Sequence, residues 1–242
     1  VADYEADGYY LGAVIGRYAG RIKDGKIRVA EKNYQLALNA ETSQLHGGAK
    51  GLNKQLWQAE TAENSDCAGL ILKYTSPDGE SGFPGKVEFT VKYQLKDNNE
   101  LCVEYFAKTD QATLVNLTQH SYFNLSGHNS GDIHDHLVTI NADVFLPMDE
   151  FAYPTGEITP VKNTAHDFTT SRRIGDNIDS KDLQINIGKG YDNYWLLNQE
   201  VLTAQSYAAQ VVAPDTGICM TLYTDQPSMI LYSANYIDGS HR

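Results

Sequence analysis

Lys86-Val87-Glu88-Phe89-Thr90-Val91-Lys92-Tyr93-Gln94-Leu95 alternates polar with apolar side chains along its whole length. Successive side chains of a strand point to opposite faces, so a period of two predicts a strand with Val87, Phe89, Val91, Tyr93 and Leu95 turned to a core. Asp97-Asn98-Asn99 has the composition of a turn, and 100–107 then resumes an extended pattern, so the two runs predict an antiparallel hairpin. Working outward, the same reading predicts strands at 26–30, 33–37, 69–75, 113–123, 136–141, 193–198, 207–213, 218–224 and 228–234. Ala213-Pro214-Asp215-Thr216-Gly217 reads as a turn between two of them. Helical period is weak throughout, and its best stretch lies at 171–180. Many strands with turn signals between them and no linker or repeat predict an all-β chain, a large sandwich or barrel-like β fold in a single domain over 1–242.

Composition narrows the function classes. Hydrophobic residues are 41 % and charged residues 21 % of the 242, as in an ordinary globular protein able to bury a core. Sixteen Tyr, seven Phe and two Trp suit pleated, half-buried surfaces and also sites that need a flat apolar face with a hydroxyl. The net charge of −12 argues against a nucleic-acid partner, which calls for clustered Lys and Arg. No apolar run is long enough to span a bilayer, and no secretory leader is visible, so no membrane partner is expected. Cys67, Cys102 and Cys219 are odd in number, lack CxxC spacing and read as free thiols in a reducing, cytoplasmic setting. The triplets Asn116-Leu117-Thr118 and Asn124-Leu125-Ser126 are then chance matches to a glycosylation signal.

Val115-Asn116-Leu117-Thr118-Gln119-His120-Ser121-Tyr122-Phe123-Asn124-Leu125 carries the chemistry. As a strand it would present Asn116, Thr118, His120, Tyr122 and Asn124 on one face, either the floor of a polar cleft or a solvated sheet surface. His120 is its natural proton carrier, because an imidazole titrates near neutrality. Leu45-His46-Gly47-Gly48 sets a second His beside two glycines, suited to a turn or to close approach of a ligand. Gly16-Arg17-Tyr18-Ala19-Gly20-Arg21-Ile22 offers planar guanidinium donors, and without a Gly-Lys-Ser/Thr ending it is not a phosphate loop. Gly190-Tyr191-Asp192-Asn193-Tyr194-Trp195 places a carboxylate among aromatics. His128, His134 and His136 are explained by loop polarity, and no metal is expected.

Six segments, in order and over almost the whole chain, together resemble the galactose mutarotase (aldose 1-epimerase) family. They are Gly12 to Ile22, Leu45-His46-Gly47-Gly48, Ser76 to Gly85, Asn116 to Gly127, Leu146-Pro147 through Pro154-Thr155-Gly156-Glu157, and Gly190-Tyr191-Asp192-Asn193. The resemblance implies a β-sandwich of the galactose mutarotase-like type and a small-molecule sugar substrate. It implies that His120 is the general acid at the ring oxygen and that His46 assists there. Arg21 and Asp192 would bind sugar hydroxyls, with Tyr122 and Gln226 lining the site. The family commonly has Asn where this chain has Gly20. Its general base is a Glu beyond the segment resembling Tyr232 to Gly239, whereas no Glu follows Glu200 here, so the chain reads as shortened at both ends.

The implied reaction interconverts the α and β anomers of free hexoses such as galactose and glucose, with no cofactor, by a monomer or homodimer. Two other readings remain: a non-catalytic sugar-binding module of the same fold, and a hexose-phosphate epimerase, which would need more cationic groups than Arg17 and Arg21.

Overall fold

The computed structural model describes Tyr4, 7–62, 67–199, Val201 and 203–237. The chain forms two compact units, Val1–Ser121 and Tyr122–Arg242. Among the described residues, eighteen strands make six sheets with antiparallel ladders, accompanied by a six-residue α-helix.

The first unit holds β1 (Val14–Ile15), β2 (Arg21–Lys23), β3 (Lys26–Val29), β4 (Lys32–Gln35), β5 (Ser43–Leu45), β6 (Gln58–Thr61), β7 (Cys67–Ser76), β8 (Val87–Lys96), β9 (Leu101–Thr109) and β10 (Thr118–Gln119). Strands β6-β7-β8-β9 form its main sheet, while β1 pairs with β10, β2 with β5 and β3 with β4. The expected hairpin is present: Leu95 faces Leu101, and Asn99 takes φ 64° in the turn while its N–H donates to Lys96 O at 3.0 Å. Val87, Phe89 and Val91 are at most 1 % exposed and pack with Val14 and Leu52. Leu95 and Leu101 are about half exposed, because the ladder runs on past the packed part of its apolar face.

The long strand expected at 113–123 does not form. Only β10 survives, with one isolated bridge between Tyr18 and Asn116, and the apolar Val115 and Phe123 are 41 % and 50 % exposed. The cause lies in the partner: β1 is two residues long, and a strand extends only as far as another backbone can accept and donate along it.

The second unit holds β11 (Leu137–Ile140), β12 (Val144–Leu146), β13 (Thr159–Pro160), β14 (Arg172–Arg173), α1 (Leu183–Gly188), β15 (Asp192–Leu196), β16 (Tyr207–Val212), β17 (Cys219–Tyr223) and β18 (Ser228–Tyr232). Its two sheets run β14-β11-β16-β17 and β13-β12-β15-β18. The helix expected at 171–180 is replaced by β14 and a short 3-10 turn, since Ile174 and Gly175 donate backbone hydrogen bonds to His136 and His134. Helix α1 instead begins at Asp182, whose carboxylate accepts from the N–H groups of Gln184 and Ile185. The turn at Ala213–Gly217 joins β16 to β17 as expected, with Gly217 donating to Ala213 O at 2.9 Å.

Arg17 latches a loop of the first unit. The residue is 2 % exposed, and its guanidinium donates to Ser76 Oγ (2.9 Å), Ser76 O (3.2 Å), Pro77 O (2.7 Å) and Pro84 O (3.0 Å). Glu80 closes the network by accepting from Tyr74 and Ser76 hydroxyls. Replacing Arg17 by Met keeps an apolar stem but leaves buried carbonyls without donors, each costing about 1–3 kcal/mol. Urea unfolding of Arg17→Met is therefore expected to show a loss of at least about 2 kcal/mol.

His166 occupies the core of the second unit. It is fully buried, stacked on Phe145 at 4.3 Å between centroids, and bonded through Nε2 to Asn193 Oδ1 at 3.0 Å, while Nδ1 has no partner. Burial lowers its pKa, with the Asn193 bond acting the other way. In the unfolded chain the imidazole takes a proton below about pH 6.5, whereas the folded core refuses it until lower pH, so stability falls as pH drops through that range. The melting temperature is expected to decline between pH 7 and pH 5, and His166→Gln, which has no proton to take up, is expected to flatten that decline.

Candidate active site

His46 and Gly20 hold each other. The His46 N–H donates to Gly20 O at 3.0 Å, and the Gly20 N–H donates to His46 Nδ1 at 3.0 Å. An imidazole that accepts at Nδ1 is neutral and carries its proton on Nε2, so His46 presents a fixed N–H donor. Burial, reinforced by the neighbouring His120 and Arg21, pushes its pKa down to about 3. The turn that delivers the ring takes φ 52° at His46 and φ 88° at Gly47. Position 47 requires glycine, because a Cβ there would lie 1.7 Å from Gly16 O. Arg21 follows Gly20 on β2 and pairs across with Leu45, which brings a permanent cation beside His46.

His120 lies just past β10. Its backbone N–H donates to Ala13 O at 2.8 Å and its carbonyl accepts from Gly12 at 3.1 Å. The two imidazole centroids are 5.4 Å apart at 80°. Burial lowers the His120 pKa, while a hydrogen bond to its own backbone carbonyl and the Asp7 carboxylate pull it up.

Tyr10 completes the cluster, its ring 4.9 Å from His46 and 5.7 Å from His120. Nothing in the periodicity of the sequence marks Tyr10; its one signal is that it stands two residues ahead of the Gly12 to Ile22 segment. Asn39 is a second residue the sequence reading passed over: its side chain donates to Leu45 O at 3.0 Å and accepts from Leu45 N at 2.7 Å, fixing the approach to His46. Arg17, grouped with Arg21 by spacing, is not part of this cluster, because its donors all serve the loop it latches.

In the second unit, Asp192 opens β15 and pairs with Tyr232 on β18. Asn193 and Trp195 alternate into the core, so Asp192, Tyr194 and Leu196 occupy the other face. Gly188 leaves room for the Asp192 side chain, since a Cβ at 188 would come within 3.3 Å of Asp192 Cβ. Tyr122 meets Tyr232 edge-on at 5.9 Å, and Tyr232 stacks on Tyr236 at 6.4 Å, an aromatic run beside the carboxylate that the sequence reading found only at Tyr122. Gln226 is exposed on the turn between β17 and β18, at the Leu196 end of the β15–β18 ladder, with its amide donating to Asp225 at 2.7 Å. Of the His128–His136 run, His136 is buried and its Nε2 accepts from Leu125 N at 3.0 Å, a structural task.

Residues 1–241 match the family described as aldose 1-epimerase. Galactose mutarotase of Homo sapiens is 42 % identical over 98 % of this chain and 67 % of its own length. Aldose 1-epimerase of Escherichia coli (strain K12) is 35 % identical over 98 % of this chain and 67 % of its own. Among solved structures, galactose 1-epimerase from Lactobacillus acidophilus NCFM superposes with a TM-score of 0.89 at 30 % identity, covering 99 % of this chain and 68 % of that one. The chain thus spans about two thirds of the length of these relatives and shares their antiparallel, galactose mutarotase-like fold. It belongs to the aldose 1-epimerase family.

Proposed function

We propose that the protein is an aldose 1-epimerase that interconverts the α and β anomers of free hexoses such as galactose and glucose, with His120 as its proton carrier. The observation that carries the reading is the pairing of a fixed donor with a titratable ring: His46 holds its proton on Nε2 through Gly20, and His120 stands 5.4 Å from it.

Mutarotation removes the proton from the anomeric hydroxyl as the C1–O5 bond breaks and O5 gains a proton. The open chain is an aldehyde, rotation about C1–C2 presents its other face, and closure reverses both transfers. His120 gives its proton to O5 on opening and recovers it from the C5 hydroxyl on closing. Its lowered pKa makes the imidazolium a stronger acid than an exposed one. His46, neutral throughout, supports the ring oxygen with a hydrogen bond and takes no part in proton transfer. Arg21 donates to sugar hydroxyls and, as a nearby cation, steadies negative charge developing on oxygen.

In the second unit, Asp192 accepts from a sugar hydroxyl and Tyr122 offers a flat apolar face with a hydroxyl, whereas Gln226, at the Leu196 end of the ladder, is not assigned to that contact. No residue of this sequence is assigned to the base. Three free thiols and an acidic composition suit a cytoplasmic enzyme acting as a monomer or homodimer. No helix among the described residues is long and apolar enough to cross a membrane.

In the full-length protein, His120→Asn is expected to lower kcat for mutarotation of α-galactose by about 10²–10⁴-fold, with sugar still bound. Polarimetry measures the rate and calorimetry the binding; an unchanged rate would remove His120 from the mechanism.

A further inference from the structure

Tyr10 is held at both ends. The Asp7 carboxylate accepts the N–H groups of Tyr9 and Leu11, each at 2.7 Å, and so shapes the turn that carries Tyr10. Tyr10 itself takes φ 61°, a conformation uncommon for an aromatic residue and dependent on its surroundings. The next residues tie this turn to the proton carrier: Ala13 N–H donates to Tyr10 O at 3.1 Å, and Gly12 N–H donates to His120 O at 3.1 Å. At the far end of the side chain, burial pushes the hydroxyl's pKa up while the nearby Asn39, the residue that clamps Leu45 immediately before His46, pulls it down. The ring between these ties stands edge-on to His46 and tilted by 34° to His120.

We propose that Tyr10 is a positioning residue of the epimerase site, whose ring fixes the two imidazoles against each other and keeps water from their edges. The proposal rests on His120 being the proton carrier. Three aromatic rings in mutual contact restrict one another's rotation, and an edge-on ring covers a polarisable face without introducing a competing hydrogen bond to the His46 Nε2–H. The charged and titratable groups acting on the pair come from separate segments: Arg21 on β2 and the Asp7 carboxylate, besides the two histidines themselves. Tyr10 is the neutral body among them, so its removal changes hydration and orientation while leaving the formal charges in place.

The test compares Tyr10→Ala and Tyr10→Phe in the full-length protein, with histidine ring resonances followed from pH 5 to pH 8 and kcat and KM for α-galactose measured by polarimetry. In the wild type the His46 resonance is expected to stay flat across this range, since burial pushes its pKa down to about 3. In Tyr10→Ala it is expected to titrate within the range, and kcat is expected to fall by roughly 10²-fold with a much smaller change in KM, the cost of a misplaced reacting group. Tyr10→Phe, which keeps the ring, is expected to restore the flat His46 resonance. If Tyr10→Ala is poorly folded by circular dichroism, Tyr10→Leu carries the same comparison. The proposal is overturned if the alanine or leucine variant matches the wild type in titration and kcat, or if the phenylalanine variant is as impaired as they are. His120→Asn run in parallel separates the two claims: an unchanged rate there sinks the proton-carrier reading, whereas a slow His120→Asn beside an unaltered Tyr10→Ala sinks only this one.

Discussion

The reciprocal pair of hydrogen bonds between Gly20 and His46 is the constraint on which the first unit's chemistry depends. One bond places the backbone of the turn, and the other decides which ring nitrogen carries the proton. Neither would hold without the close approach of Gly47 to the Gly16 carbonyl, or without the Arg17 latch that keeps the segment around position 16 against the 76–84 loop. Local backbone cost at His46, whose φ is 52°, is therefore supported by packing and hydrogen bonds made elsewhere in the unit.

The second unit rests on a different kind of support. Asp192 and Asn193 are neighbours on one strand with opposite duties, Asn193 turned inward to His166 and Asp192 turned to the other face. Strand alternation lets a buried amide–imidazole pair, enclosed by Phe145, Tyr191 and Trp195, set the position of an outward carboxylate. Tyr191 adds a further tie, its hydroxyl donating to Ala165 O at 3.0 Å. A rigid strand of this sort is a better mount for an outward carboxylate than a loop would be.

The long strand β8 was legible in the sequence because period-two alternation is a strong signal wherever a strand has one buried face. Strands of two or three residues, such as β1, β10, β13 and β14, carry too few positions to show a period. The over-long strand drawn through 113–123 arose from this: polar alternation continued in the sequence after the pairing partner had ended. Of the candidate residues that motifs in order pointed to, His46, His120 and Arg21 come together in the first unit, while Asp192 lies in the second. Tyr10, Asn39 and Tyr232 gave no such signal, because their neighbours come from distant segments and their residue types are common in this chain.

One feature of the His46 turn separates two properties that usually move together. Since a backbone amide, which does not ionise, dictates the His46 tautomer, the donor it offers is indifferent to acidity over the range in which His120 gains and loses its charge. On the proposed roles of the two histidines, recognition of the pyranose and its turnover are thereby uncoupled along the acidity axis. Acidified surroundings would then shift the rate of anomer exchange while the hydrogen bond to the sugar persisted.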